Sequence, residues 1–124
     1  MGMYTGLRGT VVIKEQLRSA LQTALFEERS WKRMGDISEA FTKFASHSRA
    51  QFIPFGMVSY MPCDWEEEHD YDAVTGVLSF CCSLKNYNGE IEDFLECLPD
   101  IADWWNLESL YEEHDSPTKH RSNT

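Results

Sequence analysis

The fold is decided by residues 77–105, VLSFCCSLKNYNGEIEDFLECLPDIADWW. This stretch opens with an alternating pattern, in which the apolar positions are Leu78, Phe80, Cys82 and Leu84. Such alternation is typical of a β-strand with one face on a core. Turn-forming residues follow at 86–89, so the pattern predicts a strand over 77–84 and then a tight turn.

Residues 90–105 predict an amphipathic helix. Its apolar positions recur at spacings of three and four and span an arc of about 120°: they are Ile91, Phe94, Leu95, Leu98, Ile101, Ala102 and Trp105. The acidic side chains fall on the opposite side: they are Glu92, Asp93, Glu96, Asp100 and Asp103. Pro99 lies inside the run, and its missing N–H predicts a kink or a break there.

Before this stretch, the pattern predicts a strand at 7–14, helices at 15–27 and 37–47, a strand at 52–61 and a loop at 62–75. After it, the pattern predicts a last strand at 107–113. Gly35 predicts a turn, and Asp36 is the expected N-cap of the second helix. This order predicts an α+β protein with a ferredoxin-like split βαβ arrangement, in which a four-stranded antiparallel sheet has its helices on one face. We expect one domain over residues 1–115 and a flexible polar tail over 116–124.

One face of this sheet is expected to be open. If Leu78 and Phe80 point to the core, Ser79 and Cys81 point outward, and Arg8 and its neighbours on the first strand join them. The other face of the sheet is then exposed unless a partner covers it. Aromatic side chains that suit an interface anchor are found at Trp65, Tyr71, Tyr87 and Trp104.

The charges of the chain are sorted along it. Residues 64–115 contain sixteen acidic residues and one basic residue, Lys85, within a chain whose net charge is −10. A field this one-sided repels nucleic acids and membrane surfaces and attracts basic surfaces or cations. We therefore expect a basic protein partner, with no direct binding of nucleic acid and no membrane association.

The densest acidic stretch is the segment DWEEEHDYD, residues 64–72. Its carboxylates are of the type that binds Ca²⁺ or Mg²⁺, but the glycine and the spacing of an EF-hand loop are absent. The ordinary interpretation is a solvated loop, because runs of charge usually face water. A divalent-metal or small-ligand site centred here remains an alternative, and no cofactor or metal is assigned.

No catalytic signature is present. The sequence contains no G-x-S-x-G motif and no glycine-rich phosphate loop. The four cysteines lie at 63, 81, 82 and 97 without C-x-x-C spacing, so we interpret them as reduced thiols in a core. We expect a protein that is not an enzyme and that acts in the cytoplasm.

Four longer strings carry a resemblance. They are MYTGLR (3–8), SRAQFIPFGMVSYMPCDW (48–65), FCCSLKNYNGEIEDF (80–94) and LESLYEEHD (107–115). The chain resembles a family of small acidic proteins found in phages and prophages of Gram-positive bacteria. The resemblance implies an accessory phage protein in the bacterial cytoplasm, and such genes commonly encode inhibitors of host defence, including anti-CRISPR proteins. It assigns no activity, and because residues 15–47 match the family least well, no functional residue is carried over there.

The leading hypothesis is a phage protein that inhibits a basic, nucleic-acid-handling host protein, such as a CRISPR effector, by acting as an acidic mimic of nucleic acid. Duplex DNA carries one charge per about 1.7 Å of axis, which a row of carboxylates can imitate. The expected binding residues are Asp64, Trp65, Glu66, Glu67, Glu68, Asp70, Asp72, Glu92, Asp93, Glu96, Asp100 and Asp103. The first alternative is an adaptor or inhibitor that binds through its open sheet face or an aromatic patch.

Overall fold

The computed structural model describes residues 4–58, 61, 64–111 and 116–122. Within these residues the protein is α+β, with one five-stranded sheet in the order β2-β3-β1-β4-β5. The strands are β1 Thr5–Ile13, β2 Glu68–Asp72, β3 Val77–Leu84, β4 Ala102–Tyr111 and β5 Thr118–Arg121. Every neighbouring pair is antiparallel, which confirms the α+β class and the antiparallel sheet, but the predicted number of four strands is wrong.

The helices are mostly short. They are α1 Arg18–Leu21, α2 Glu39–Ala45, the single turn α3 Phe52–Phe55, and α4 Glu90–Ile101. A 3-10 turn at Glu15–Leu17 precedes α1, a π-helical turn at Gln22–Glu27 follows it, and another 3-10 turn spans Trp31–Met34. The predicted helix over 15–27 is therefore present but irregular. No helix in the described part of the chain combines the length and apolar character needed to cross a membrane.

Two predicted elements near the middle of the chain are wrong. The strand expected over 52–61 is replaced by α3 at its start, where the Ile53 carbonyl oxygen accepts a 2.6 Å hydrogen bond from the buried Trp31 indole N–H. The loop expected over 62–75 contains β2 instead. Acidic residues alternate with His69 and Tyr71 in β2, and this period of two is that of a strand.

The helix α4 ends earlier than the sequence pattern predicts. It continues through Pro99 without a break and stops at Ile101, because Ala102 has extended backbone (φ −133°, ψ 147°) and begins β4. Trp105, predicted to lie on the helix, is therefore a strand residue. The predicted last strand is longer than expected and starts at Ala102.

Two details at the ends of elements also differ. Ser38, rather than Asp36, caps α2, and its Oγ accepts a 3.1 Å hydrogen bond from the Phe41 backbone N–H. Residues 118–121 of the predicted flexible tail form β5, which pairs with β4 residues 106–109. Gly35 has a positive φ of 85° at the predicted turn, a conformation that glycine adopts without strain.

The main core lies between one face of the sheet and the helices. Leu7 and Val11 of β1 and Leu78 and Phe80 of β3 are buried there against aromatic side chains from the helical layer. Those aromatic side chains are Trp31, Phe41, Phe44 and Phe94. A smaller cluster covers one end of the opposite sheet face, which we call the outer face; it contains Met61, Trp65, Cys81 and Leu110. The outer face is therefore only partly open.

Candidate partner-binding surface

The strongest concentration of exposed acid lies on and before the edge strand β2. We define the acidic edge as Asp64, Glu66, Glu67, Glu68, Asp70 and Asp72, all of which are exposed. In the strand, Glu68 pairs in register with Cys81 and Asp70 pairs with Ser79, so these acids share the outer face. Two strand residues rise about 6.6 Å, which sets the spacing between successive acidic positions.

The opposite side of β2 anchors this edge to the fold. The Tyr71 hydroxyl donates a 2.8 Å hydrogen bond to the Arg18 carbonyl oxygen, and the Tyr71 ring stacks on Phe26 at 5.7 Å between centroids. Burial raises the pKa of Tyr71 to about 12, so its hydroxyl stays a donor at neutral pH. His69 packs edge-on against Phe55. Alternate residues of β2 therefore have different roles. The acids point to the outer face, whereas Tyr71 and His69 pack against aromatic side chains on the other face.

Beside the acidic edge, the outer face forms a concave pocket of about 520 Å³. Acidic-edge residues line one part of it, and Glu108 of β4 and Arg8 of β1 also line it. The Arg8 Nε atom lies 2.5 Å from Glu108 Oε1, and the guanidinium lies 4.0 Å from the centre of the Trp65 ring. Lys119 Nζ lies 3.7 Å from the other Glu108 oxygen. Glu108 is therefore neutralised within the fold.

Trp65 has a structural position rather than an exposed one. Only 6% of its surface is accessible, and it packs in the small cluster with Met61. A Cβ at Gly6 would overlap this indole ring, so the backbone of β1 passes close beneath it. The expectation that Trp65 is an exposed interface anchor is wrong, because its ring lies between the sheet and the Arg8 guanidinium.

The carboxylates of the acidic edge form no ion pair with another described residue. Across the described ranges, the ion pairs of this chain involve Glu28, Asp93 and Glu108, and none involves an acidic-edge residue. Among hydrogen bonds between described residues, the carboxylates of the acidic edge take part only through Asp72, whose Oδ1 accepts from the Val74 backbone N–H at 2.8 Å. The edge therefore presents uncompensated negative charge to solvent.

Asp93 of α4 does not belong to an exposed acidic row. It is 7% exposed, its Oδ2 lies 2.5 Å from His47 Nε2, and its Oδ1 lies 3.4 Å from Lys43 Nζ. Burial alone would raise the pKa of Asp93, but hydrogen bonds with His47 and Lys43 outweigh burial and hold the pKa below its usual value. The prediction that Asp93 faces solvent is wrong because α2 packs against this side of α4.

The other acids predicted on the helix are divided among several roles. Asp100 accepts a 2.7 Å hydrogen bond from Ser38 Oγ and so ties α4 to the start of α2. Glu92 accepts from the Asn86 amide at 2.7 Å, next to the turn before the helix. Glu96 is exposed on α4, whereas Asp103 is exposed on β4 and not on the helix. The predicted single row of five acids is therefore not formed.

The buried thiols are not chemically poised. Burial raises the pKa of Cys81 to about 11 and that of Cys97 to about 12, and it holds the pKa of Cys82 well above its usual value. These three cysteines are free and buried, as predicted, while Cys63 lies outside the described residues. Protonated thiols are weak nucleophiles and poor metal ligands.

No metal-ligand cluster is formed by the residues that the structure describes. Among these residues, no three His, Cys, Asp or Glu side chains are placed so that they could hold one ion. Of the acidic-edge residues, Glu68, Asp70 and Asp72 alternate along the extended strand β2, which does not create the convergent oxygen cage that Ca²⁺ requires. The metal alternative for 64–72 therefore has no ligand set here.

Sequence reasoning missed the groups that surround the acidic edge. Arg8 was expected on the outer face, but its pairing with Glu108 joins residues that are 100 positions apart in sequence. Lys119 was assigned to a flexible tail, and only the pairing of β5 with β4 brings it beside Glu108. The alternation within residues 68–72 was the one local signal that could have revealed β2.

Comparison with known proteins assigns no family to the chain. The chain matches no protein-family model, no curated protein and no solved structure.

Proposed function

We propose that this chain is a non-catalytic binding protein that captures a basic, nucleic-acid-handling protein through the acidic edge. The observation that carries the proposal is the set of six exposed carboxylates that no cation of the described residues compensates, placed at an edge strand. An edge strand is accessible to a partner, and uncompensated charge steers a partner of opposite sign. Glu68, Asp70 and Asp72 supply the regular part of this surface.

The spacing of these acids favours mimicry of nucleic acid. Alternate residues of a strand lie about 6.6 Å apart, close to the separation of about 7 Å between neighbouring phosphates along one DNA strand. A groove that binds phosphates through lysine and arginine would meet carboxylates at a similar period. Such a contact speeds association more than it adds affinity, and it weakens as salt is added.

The resemblance to phage proteins supplies the biological setting of the proposal. In that setting the chain acts in the bacterial cytoplasm and inhibits a host defence protein, as anti-CRISPR proteins do. We also propose that the sheet is a ferredoxin-like split βαβ arrangement with β5 added at one edge, because β2-β3-β1-β4 follows the order that this arrangement requires.

The test is affinity capture from a nuclease-treated lysate of a Gram-positive host, at low and at high salt. The wild-type chain is compared with the double variant Glu68→Lys/Asp70→Lys. We expect a basic nucleic-acid-binding protein that is captured by the wild type at low salt and released at high salt, and that the variant fails to capture. Equal capture by both proteins would reject the acidic edge as the binding surface.

A second candidate uses the apolar part of the outer face. Val77, Val12 and Trp104 lie side by side across β3, β1 and β4, and Trp104 is 38% exposed. An aromatic and aliphatic row of this kind suits an interface anchor. Capture that survives high salt and the Glu68→Lys/Asp70→Lys change, but is lost on Trp104→Ala, would favour this surface over the acidic edge.

A further inference from the structure

A second concavity of the molecule has a chemistry opposite to that of the acidic edge. It has a volume of about 500 Å³ and lies where β3 ends. Its apolar lining includes Phe52, Met57 and Leu84, and its charged lining consists of Arg49 and Lys85. Phe52 is 38% exposed and Met57 is 67% exposed. We call this concavity the cationic groove.

One wall of the cationic groove is fixed by close backbone contacts. The Ser83 backbone N–H donates a 3.3 Å hydrogen bond to the Gly56 carbonyl oxygen, and the Ser83 hydroxyl donates to the Met57 carbonyl oxygen. A Cβ at Gly56 would overlap the Ser83 carbonyl oxygen, so only glycine lets the two segments approach this closely. The groove is therefore built into the fold before a ligand arrives.

The two cations contact a backbone carbonyl and aromatic rings. Arg49 Nη1 donates a 3.4 Å hydrogen bond to the Lys85 carbonyl oxygen, and its guanidinium lies 5.3 Å from the Tyr87 ring centre. Lys85 Nζ lies 5.6 Å from the Tyr4 ring centre. Among the ion pairs of the described residues, none includes Arg49 or Lys85.

Lys85 lies in a strongly acidic part of the sequence. Lys85 is the single basic residue among residues 64–115, and it lines this groove with Arg49. Both side chains are half-buried, so part of their hydration is already lost. Among the described residues, neither of these half-buried cations has a carboxylate partner, so each is available to pair with a negative group of a ligand.

We propose that the cationic groove binds a small aromatic carboxylate. A volume of about 500 Å³ falls within the range of small-molecule sites, which combine an apolar lining with a few placed polar groups. The ring lies against Phe52 and Met57, and the carboxylate pairs with the Arg49 guanidinium, whose planar fork matches carboxylate geometry.

The experiment titrates the protein with naphthalene-2-carboxylate and with its uncharged isostere, naphthalene-2-carboxamide, and follows backbone amides by NMR. We expect the carboxylate to shift the amides of Arg49, Phe52 and Lys85. Arg49→Gln/Lys85→Gln should weaken binding of the carboxylate by about tenfold or more, and should change binding of the carboxamide by less than about twofold. The matched control, Lys32→Gln, removes an exposed cation that does not line the groove and should leave both affinities unchanged.

A third variant and the amide spectra complete the test. Phe52→Ala should weaken both probes, because it removes apolar lining that the two rings share. The amide spectrum of each variant reports whether the fold is intact. Equal binding of the two probes, shifts located outside the groove, no binding, or an unchanged carboxylate affinity in Arg49→Gln/Lys85→Gln would overturn the proposal. Tighter binding of an acetylated, amidated tetrapeptide, alanine–phenylalanine–aspartate–alanine, would assign the groove to a peptide and would also overturn it.

Discussion

The acidic edge and helix α4 carry comparable runs of carboxylates, but the fold uses them differently. On α4, Asp93 is buried, pairs with Lys43 and lies 2.5 Å from His47 Nε2, and Asp100 accepts a hydrogen bond from the residue that caps α2. On the acidic edge, the side chains are exposed, and no ion pair of the described residues includes them. Negative charge in the sequence is therefore structural in one region and available to a partner in the other.

The difference follows from the surroundings of each element. Helix α4 packs on the sheet through Phe94 and on α2 through Asp93, so two of its faces are covered. Among the described strands, β2 pairs with β3 alone, and its acidic side chains point to the outer face. A carboxylate enclosed by two packed elements requires a partner, whereas one at an edge is solvated.

The largest effect is expected for removal of the Asp93 carboxylate. Asp93→Ala leaves His47 and Lys43 without their acceptor, and we expect the free energy of unfolding to fall by about 2–4 kcal/mol. Urea denaturation measures this change. Glu66→Ala on the acidic edge is the matched control and should leave the free energy of unfolding nearly unchanged. A loss of less than about 1 kcal/mol for Asp93→Ala would show that the Asp93 carboxylate does not stabilise the fold.

The same ion pair predicts a dependence of stability on pH. The pKa of Asp93 is lower in the folded chain than in the unfolded chain, where it is about 3.9. The stability that Asp93 contributes is therefore complete when the pH is above the pKa of the unfolded chain. It is lost as the pH falls through the lower pKa of the folded chain. Between about pH 5 and pH 2, the unfolding free energy of the wild type should fall more steeply than that of Asp93→Asn. Parallel curves would show that Asp93 has no such role.

A smaller effect is expected at the contact between α2 and α4. Ser38→Ala removes both the N-cap of α2 and the hydrogen bond to Asp100, and we expect a loss of about 1–2 kcal/mol in unfolding free energy. Ser46→Ala, at an exposed serine that bonds its own helix end, is the control and should cost less. Equal losses in thermal or urea denaturation would indicate that Asp100 contributes nothing to this junction.

The smallest effect is expected for neutralising the acidic edge. Glu66→Gln/Glu68→Gln/Asp70→Asn relieves repulsion between neighbouring carboxylates and should raise Tm by about 1–2 °C at low ionic strength. The gain should vanish near 1 M salt, where the Debye length is about 3 Å. A lower Tm for this variant at low salt would mean that these acids stabilise the fold, contrary to the comparison.

The local sequence pattern was sufficient to predict a strand at β3 and a helix at α4. Residues 77–84 alternate because one face of β3 meets the main core, and residues 91–101 repeat helically because α4 lies on that core. The burial of Asp93 was not predictable in this way. It depends on His47 and Lys43, which lie 46 and 50 positions earlier in sequence and which only tertiary packing brings to α4.

The candidate surface was predicted in part for a similar reason. The acids of residues 64–72 were identified from their density, but their strand conformation was missed because charged residues have low strand propensity. Their period of two, with His69 and Tyr71 between the acids, becomes decisive only once β3 is present as a partner. Trp65 was assigned to the surface because an isolated aromatic residue in an acidic run gives no sign of the Arg8 guanidinium that covers it.

The central claim is that the acidic edge, and not α4, contacts a basic partner. The most direct measurement compares two matched double reversals, Glu68→Lys/Asp70→Lys and Glu92→Lys/Glu96→Lys, for binding to the basic protein captured from the host lysate, with duplex DNA as competitor. Each variant changes the net charge by the same amount. We expect the edge reversal to weaken binding at least tenfold, or by about 1.4 kcal/mol, the α4 reversal to change binding far less, and DNA to compete. Equal losses in both variants, or a larger loss for the α4 reversal, would contradict the central claim.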